Sequence, residues 1–114
     1  MKNRFCDARG WLRMAAAIAT VAIATAAQAG ETVKVDITKF VFAPKEITVE
    51  PGTRVVWTNH DESPHTVTGN DKSFGSKGLD TDDTFEFVFS KEGDFGYICA
   101  VHPFMTGVVH VHKH

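Results

Sequence analysis

The chain has 114 residues, with 12 lysine and arginine residues against 14 aspartate and glutamate residues and a formal charge of −2. Hydrophobic residues make up 43% of it, and a chain of this length can form one small core but not several domains. No stretch combines clustered basic residues with interleaved aromatic ones, so nucleic acids and anionic membrane surfaces are poor candidates as partners.

The N-terminal segment has the pattern of a secretory signal peptide. Basic residues dominate "MKNRFCDARGWLR", the alanine-rich run "MAAAIATVAIATA" follows, and "AQAG" supplies a small-residue cleavage motif. The apolar run is shorter than the roughly 20 residues that span a bilayer, which argues against a membrane anchor. We therefore expect residues 1–29 to be a cleaved signal peptide and residues 30–114 to form a single domain.

Cleavage would change both the charge and the cysteine content of the protein. It removes four of the 12 basic residues and one of the 14 acidic ones, which leaves eight against 13 and a formal charge of −5. It also removes Cys6, so that Cys99 becomes the only cysteine. A lone cysteine in an oxidising compartment is a buried bystander, an intermolecular bridge or a functional thiolate.

The remainder of the chain is typical of β-structure. Alternating apolar and polar residues predict strands at 31–37, 40–42, 46–50, 53–59, 84–89, 94–100 and 107–112. The polar, glycine-rich stretch at 69–83 is predicted to be a loop, and no segment has a convincing helical period. Many short strands with frequent turns predict an all-β protein, an antiparallel β-sandwich or barrel.

Three residues with soft donor atoms, Cys99, His102 and Met105, lie at steps of three within "YICAVHPFMTG". Thiolate, imidazole and thioether suit copper better than calcium or magnesium, and the thioether argues against structural zinc. A trigonal copper site needs a second imidazole from a distant segment. His65 is the candidate, because Ser63 and Pro64 precede it in a rigid approach to the next strand. Two histidines, one cysteine and a weak axial methionine describe a blue-copper electron-transfer site.

The segment "YICAVHPFMTGVVHV" resembles the copper loop of the cupredoxins, the type 1 blue-copper proteins that include plastocyanin and pseudoazurin. Its short Cys–His–Met spacing is most similar to that of the amicyanins, and "VEPGTRVVWTNHDESPHTV" resembles the segment that brings the first copper histidine. The resemblance implies a Greek-key antiparallel β-sandwich with one copper ion at one end. It also implies that His65, Cys99, His102 and Met105 are the copper ligands. Thr66 departs from the asparagine common at that position, and Val101 departs from a proline.

The resemblance further implies that the protein shuttles single electrons between redox partners in the periplasm and is not an enzyme. A dehydrogenase as donor and a cytochrome as acceptor would bind transiently to a monomer. The docking patch would consist of Val101, Pro103 and Phe104 around the exposed histidine, with Phe74 as a further candidate member. A small apolar patch with a polar rim also suits transient docking on physical grounds.

Two other functions remain open from the residues alone. A copper carrier or resistance protein would use the same ligands to deliver metal rather than electrons. A mononuclear copper enzyme is less favoured, because it needs an open coordination position that a methionine would fill.

Three further histidines, His110, His112 and His114, alternate along the last predicted strand and therefore share one face. We expect them to be a solvated edge, with a second surface metal site as the alternative.

Overall fold

The computed structural model describes residues 30–114, and the predicted signal peptide at residues 1–29 lies outside this range. The described residues form eight strands and no helix. The strands are β1 (Thr32–Thr38), β2 (Val41–Ala43), β3 (Glu46–Val49), β4 (Thr53–Asn59), β5 (Thr68–Gly69), β6 (Thr84–Phe89), β7 (Gly93–Ile98) and β8 (Thr106–Val111). Within this part of the chain, nothing helical is long and apolar enough to cross a membrane.

The strands form two four-stranded sheets, in the orders β2-β1-β4-β6 and β3-β8-β7-β5. The β-sandwich class is confirmed, and each predicted strand is present within one or two residues of its expected bounds. Both sheets are mixed, since β1 pairs with β4 and β3 pairs with β8 in parallel while the other four pairings are antiparallel. The alternation of buried and exposed side chains shows which face of a strand is buried, but not whether the neighbouring strand runs parallel or antiparallel to it. The parallel pairings were therefore not predictable from the sequence pattern.

The core between the sheets is rich in aromatic side chains. Trp57 is fully buried near its middle, and its ring centroid lies 5.6 Å from that of Phe85 and 5.4 Å from that of Tyr97. Phe74 also belongs here, because it is 6% exposed and stacks on Trp57 with centroids 6.2 Å apart. The suggestion that Phe74 lies in a surface patch is therefore wrong. Its loop folds back through a hydrogen bond from the Gly69 N–H to the Phe74 carbonyl, which turns the ring inward.

Three connections meet at one end of the sandwich and position the candidate site. One is the loop from Cys99 to Met105, between β7 and β8, and the second is the connection that follows β4 and contains His65. The third is the turn between β1 and β2, where Lys39 and Phe40 both have positive φ values of 53° and 62°. Such angles are rare for bulky residues, so a specific contact must hold this turn.

Candidate metal centre

The loop that follows β7 is closed by its own backbone. The Cys99 N–H donates to the Met105 carbonyl at 3.1 Å, and the Met105 N–H donates to the His102 carbonyl at 2.9 Å. As a result the loop turns tightly over the end of the core. Cys99 and Met105 are buried, with 0% and 2% exposure, whereas His102 is only partly buried.

His65 enters the same end of the sandwich from a distant part of the sequence. Its backbone exchanges two hydrogen bonds with Leu79, one from the His65 N–H at 3.1 Å and one from the Leu79 N–H at 2.7 Å. This short bridge holds the residue under the surface, and its side chain is fully buried. The fold therefore brings His65 next to Cys99 although 34 positions separate them.

The donor atoms of His65, Cys99 and His102 converge on one point. The Cys99 Sγ lies 3.7 Å from the His65 Nδ1 and 3.8 Å from the His102 Nδ1, and the two Nδ1 atoms are 3.2 Å apart. Donors that bind one metal at roughly 2.0–2.3 Å in a trigonal or tetrahedral arrangement stand about 3.2–4.0 Å apart. The three spacings therefore fit a single metal ion. Met105 completes the predicted set from the buried end of the same loop.

Thr66 fixes the sulfur atom and the start of the loop. Its backbone N–H points at the Cys99 Sγ at 3.3 Å, the geometry that stabilises a thiolate. Its side-chain Oγ1 accepts a hydrogen bond from the Ala100 N–H at 2.7 Å and pairs with the Thr68 hydroxyl at 2.9 Å. The threonine hydroxyl thus connects the His65 segment to the start of the loop that follows Cys99.

Asp61 orients the buried histidine, although no motif in the sequence indicated this role. Its Oδ2 lies 2.9 Å from the His65 Nε2 and accepts the Phe40 N–H at 2.9 Å, while its Oδ1 accepts the Lys39 N–H at 2.7 Å. Burial opposes ionisation of this carboxyl, but the hydrogen bonds from the two backbone amides and from His65 outweigh it and lower the pKa of Asp61. A carboxylate on Nε2 fixes the tautomer of His65, so that its Nδ1 presents a lone pair beside Cys99.

Phe40 is a second residue of the site that no motif in the sequence indicated. Its ring lies edge-on to both imidazoles, with centroids 5.0 Å from that of His65 and 5.0 Å from that of His102. The positive φ of Phe40 allows this approach, and Asp61 holds the turn in that conformation. This edge-on packing restricts rotation of the two imidazole rings.

The surface around the site is apolar. Phe104 is 72% exposed and Val101 is 54% exposed, and Pro103 between them is also exposed. The ring of Phe104 lies 6.0 Å from that of His102, so the partly buried imidazole borders this surface. All three residues of the predicted patch are thus solvent-accessible, and Phe40 extends the patch with 38% exposure.

This two-sheet fold brings two histidines and a cysteine together at one end, with a methionine in the same loop, and defines a small β-sandwich protein with donors suited to a soft metal ion. The chain belongs to the family described as the cupredoxin-like domain, whose model matches residues 12–111.

Curated relatives and a solved structure agree with that assignment. Amicyanin-alpha of Methylorubrum extorquens is 36% identical over 108 residues, which cover 84% of this chain and 90% of the relative. Amicyanin of Paracoccus versutus is 32% identical over 93 residues, which cover 76% and 70% of the two chains. A purple cupredoxin from Nitrosopumilus maritimus superimposes with a TM-score of 0.67 at 32% identity, covering 70% of this chain and 99% of its own.

Proposed function

We propose that this protein is an exported blue-copper electron carrier in which His65, Cys99, His102 and Met105 hold one type 1 copper ion. The convergence of two imidazole nitrogens and one sulfur to within 3.2–3.8 Å of one another is the observation that carries the proposal. Copper bound by such donors supplies a one-electron couple between Cu(II) and Cu(I). The cupredoxin family and the amicyanin relatives support this function in preference to a structural role.

The protein's contribution is to keep the ligands in place while the charge at the site changes by one unit. Asp61 holds the His65 ring, the backbone N–H of Thr66 donates to the Cys99 sulfur, and Phe40 packs against both imidazoles. None of these contacts depends on the oxidation state of a metal. A site that does not rearrange has little to reorganise during electron transfer. Hydrogen bonding to the sulfur and burial also tune the potential.

Electrons would enter and leave through the surface made by Val101, Pro103 and Phe104. This surface is exposed, apolar and next to His102, the least buried of the proposed ligands. A small apolar contact with few charged pairs suits short-lived complexes, which a shuttle between two partners requires.

Electron self-exchange between oxidised and reduced copies, measured by NMR line broadening, tests the surface without a known partner. We expect Phe104→Ser to slow self-exchange, because the substitution removes the largest exposed apolar side chain beside His102. Val88→Ser is the matched control, since Val88 is 40% exposed on β6, away from the loops of the site. Equal rates in both variants would contradict the docking role.

We further propose that the protein acts in the periplasm, as a monomer, between a dehydrogenase and a cytochrome. Export rests on the N-terminal sequence pattern, and the choice of partners rests on the similarity to amicyanins. A carrier is favoured over an enzyme because Met105 would occupy the position that a substrate would need. Fast loss of copper to a chelator would instead favour the alternative function of metal delivery.

The decisive experiment is a Cu(II) titration of the exported protein followed by visible absorption and EPR, repeated for Cys99→Ser. An intense blue band with narrow copper hyperfine splitting that disappears in the variant is the expected result. Cys99→Ser keeps the size of the side chain and removes only the thiolate donor. A pale spectrum that the substitution leaves unchanged would place copper elsewhere and end the electron-carrier proposal.

A further inference from the structure

A second group of metal-binding side chains lies on the outer face of the sheet β3-β8-β7-β5. Asp94 on β7 is directly opposite His110 on β8, and His112 follows two positions later on the same face. On the other side of β8, the strand β3 places Glu46 diagonally beside His110. Strand register sets Asp94 and His110 side by side on paired strands, and His112 follows directly after Val111, the last residue of β8.

Both imidazoles of this cluster lie within hydrogen-bond distance of one Asp94 oxygen, and a bound cation would replace these contacts. The Asp94 Oδ1 lies 2.7 Å from the His110 Nδ1 and 3.0 Å from the His112 Nε2. One donor atom from each of the three residues falls within 4.8 Å of the other two. The two imidazole rings are nearly parallel, at 21°, with centroids 6.3 Å apart, so both present a nitrogen to the same carboxylate.

The contact between Glu46 and His110 is a second, independent observation in favour of a metal site. Its Oε1 lies 3.2 Å from the His110 Nε2, the ring nitrogen that faces away from Asp94. A carboxylate on the far nitrogen of a histidine is the usual support of a metal ligand, because it fixes the tautomer and directs the near nitrogen, here the one beside Asp94, toward the metal position. His110 therefore already has the orientation that a ligand needs.

We propose that Asp94, His110 and His112 form a second, surface metal site for a borderline divalent cation such as zinc. Two imidazoles and one carboxylate suit zinc, and three protein ligands leave one position for water. Calcium and magnesium would take oxygen ligands instead. The exposure of Asp94 and His112 makes this an exchangeable site, open to metal from solution.

The site is separate from the proposed copper centre. Asp94 precedes Cys99 by five residues along β7, which corresponds to about 16 Å of strand. The two donor sets share no residue and no hydrogen bond among the described contacts. Metal at the second site is therefore expected to leave the copper ligands and their spectrum unchanged, and the inference does not depend on the proposed electron-carrier function.

Other surface histidines of the described chain provide the contrast. His60 lies 2.9 Å from Asp36, and His114 lies 3.4 Å from Glu50, each with a single carboxylate and no second imidazole. Such pairs are ordinary solvated ion pairs of little energetic consequence. The cluster around Asp94 differs because two imidazoles share one carboxylate oxygen and a second acid, Glu46, supports one of them.

The test is an isothermal titration of the copper-loaded protein with zinc chloride, with the visible spectrum recorded at each step. We expect one zinc equivalent to bind without a change in the copper spectrum. Asp94→Asn and His112→Gln should each weaken binding by at least about tenfold, and Glu46→Gln should weaken it by roughly tenfold or more. His60→Gln is the matched control and should bind zinc like the unaltered protein.

Any of three outcomes would overturn the proposal. One is the absence of saturable zinc binding beyond that of the Asp94→Asn variant. Another is equal affinity in Asp94→Asn, His112→Gln and His60→Gln, which would mean that scattered surface histidines bind zinc without a defined site. A change in the copper spectrum during the titration would show exchange at Cys99 and would also count against a separate site.

Discussion

Asp61 joins three parts of the structure through one carboxylate. Its two oxygens hold the Lys39 and Phe40 amides of the β1–β2 turn, and the same group contacts the Nε2 of His65. The backbone of Asp61 is itself held, because its N–H donates to the Asn59 side chain and its carbonyl accepts the Thr81 hydroxyl. A residue that makes no contact with the proposed metal thus sets the orientation of one ligand and the position of the ring that covers it.

Replacing Asp61 with asparagine should therefore weaken copper binding. The amide keeps one acceptor oxygen and turns the other position into a donor, so His65 or a backbone amide of the turn loses its partner. Loss of such a supporting group typically lowers metal affinity by about 10- to 100-fold. Competition with a chelator of known affinity measures the change.

Glu62→Gln is the control for the Asp61 experiment. It removes the same charge from the neighbouring residue, whose side chain is exposed. Equal copper affinity in Asp61→Asn and Glu62→Gln would show that Asp61 does not orient the ligand.

Thr66 shows how one structural task is met by a different residue type. The resemblance to the cupredoxins implies asparagine at this position, and the sequence has threonine instead. In the structure the shorter hydroxyl reaches the Ala100 amide at 2.7 Å, because Ala100 directly follows Cys99 at the end of β7. The backbone N–H of Thr66 contacts the sulfur whatever the side chain is.

Strands β7 and β8 form the element on which both proposed sites are built. The Cys99–Met105 loop connects them at one end, and the Asp94–His110 pair lies farther along the same two strands. Their register therefore affects both sites. Tyr97 pairs with Gly107 across these two strands, and the tyrosine ring lies over the glycine.

Gly107→Ala should destabilise the protein by about 1–3 kcal/mol, the usual penalty for overpacking a core. A Cβ at this position would overlap the ring of Tyr97, including its Cε2 at 2.8 Å, and that ring is buried and has no room to move. Urea unfolding of the two proteins measures the difference in free energy.

Gly78→Ala is the matched control for the Gly107 substitution. No heavy atom lies within 4 Å of a Cβ built at Gly78, so the stability should change by less than about 1 kcal/mol. If Gly107→Ala were as stable as Gly78→Ala, the close contact with Tyr97 would not constrain the hairpin.

The sequence predicted most elements of this fold, and the exceptions have physical causes. The alternation of apolar and polar residues predicted β4 and β6 at their observed bounds, because both strands bury one face. The alternation did not predict β5, because this strand has only two residues, Thr68 and Gly69, and two residues cannot show a period. Phe74 was misplaced because its burial depends on how its loop returns to the sandwich.

The sequence predicts those residues of the candidate site that belong to a motif with recognisable spacing. Cys99, His102 and Met105 have recognisable spacing, and the structure brings His65 to them. Asp61 and Phe40 belong to no such motif. Their roles follow from a turn with positive φ and from contacts between loops that only the folded chain brings together.

Tyr97 links the two sheets of the sandwich. It belongs to β7 in one sheet, and its ring contacts Phe42 of β2 and Trp57 of β4 in the other, with centroids 4.7 Å and 5.4 Å away. The side chain is 1% exposed, and burial raises the pKa of Tyr97 from 10.0 to about 12. Ionisation of this phenol is thus opposed by the native packing between the sheets.

This shift predicts a loss of stability in alkaline solution. Above about pH 10 the unfolded chain releases the phenolic proton while the folded protein retains it, so rising pH favours unfolding until about pH 12, where the folded form also ionises. A shift of this size corresponds to about 2–3 kcal/mol. Urea unfolding of the unaltered protein and of Tyr97→Phe at pH 8 and pH 11 separates this effect from that of lysine titration, which both proteins share. We expect the unaltered protein to lose more stability than Tyr97→Phe, and parallel losses would mean that Tyr97 ionises as freely when folded as when unfolded.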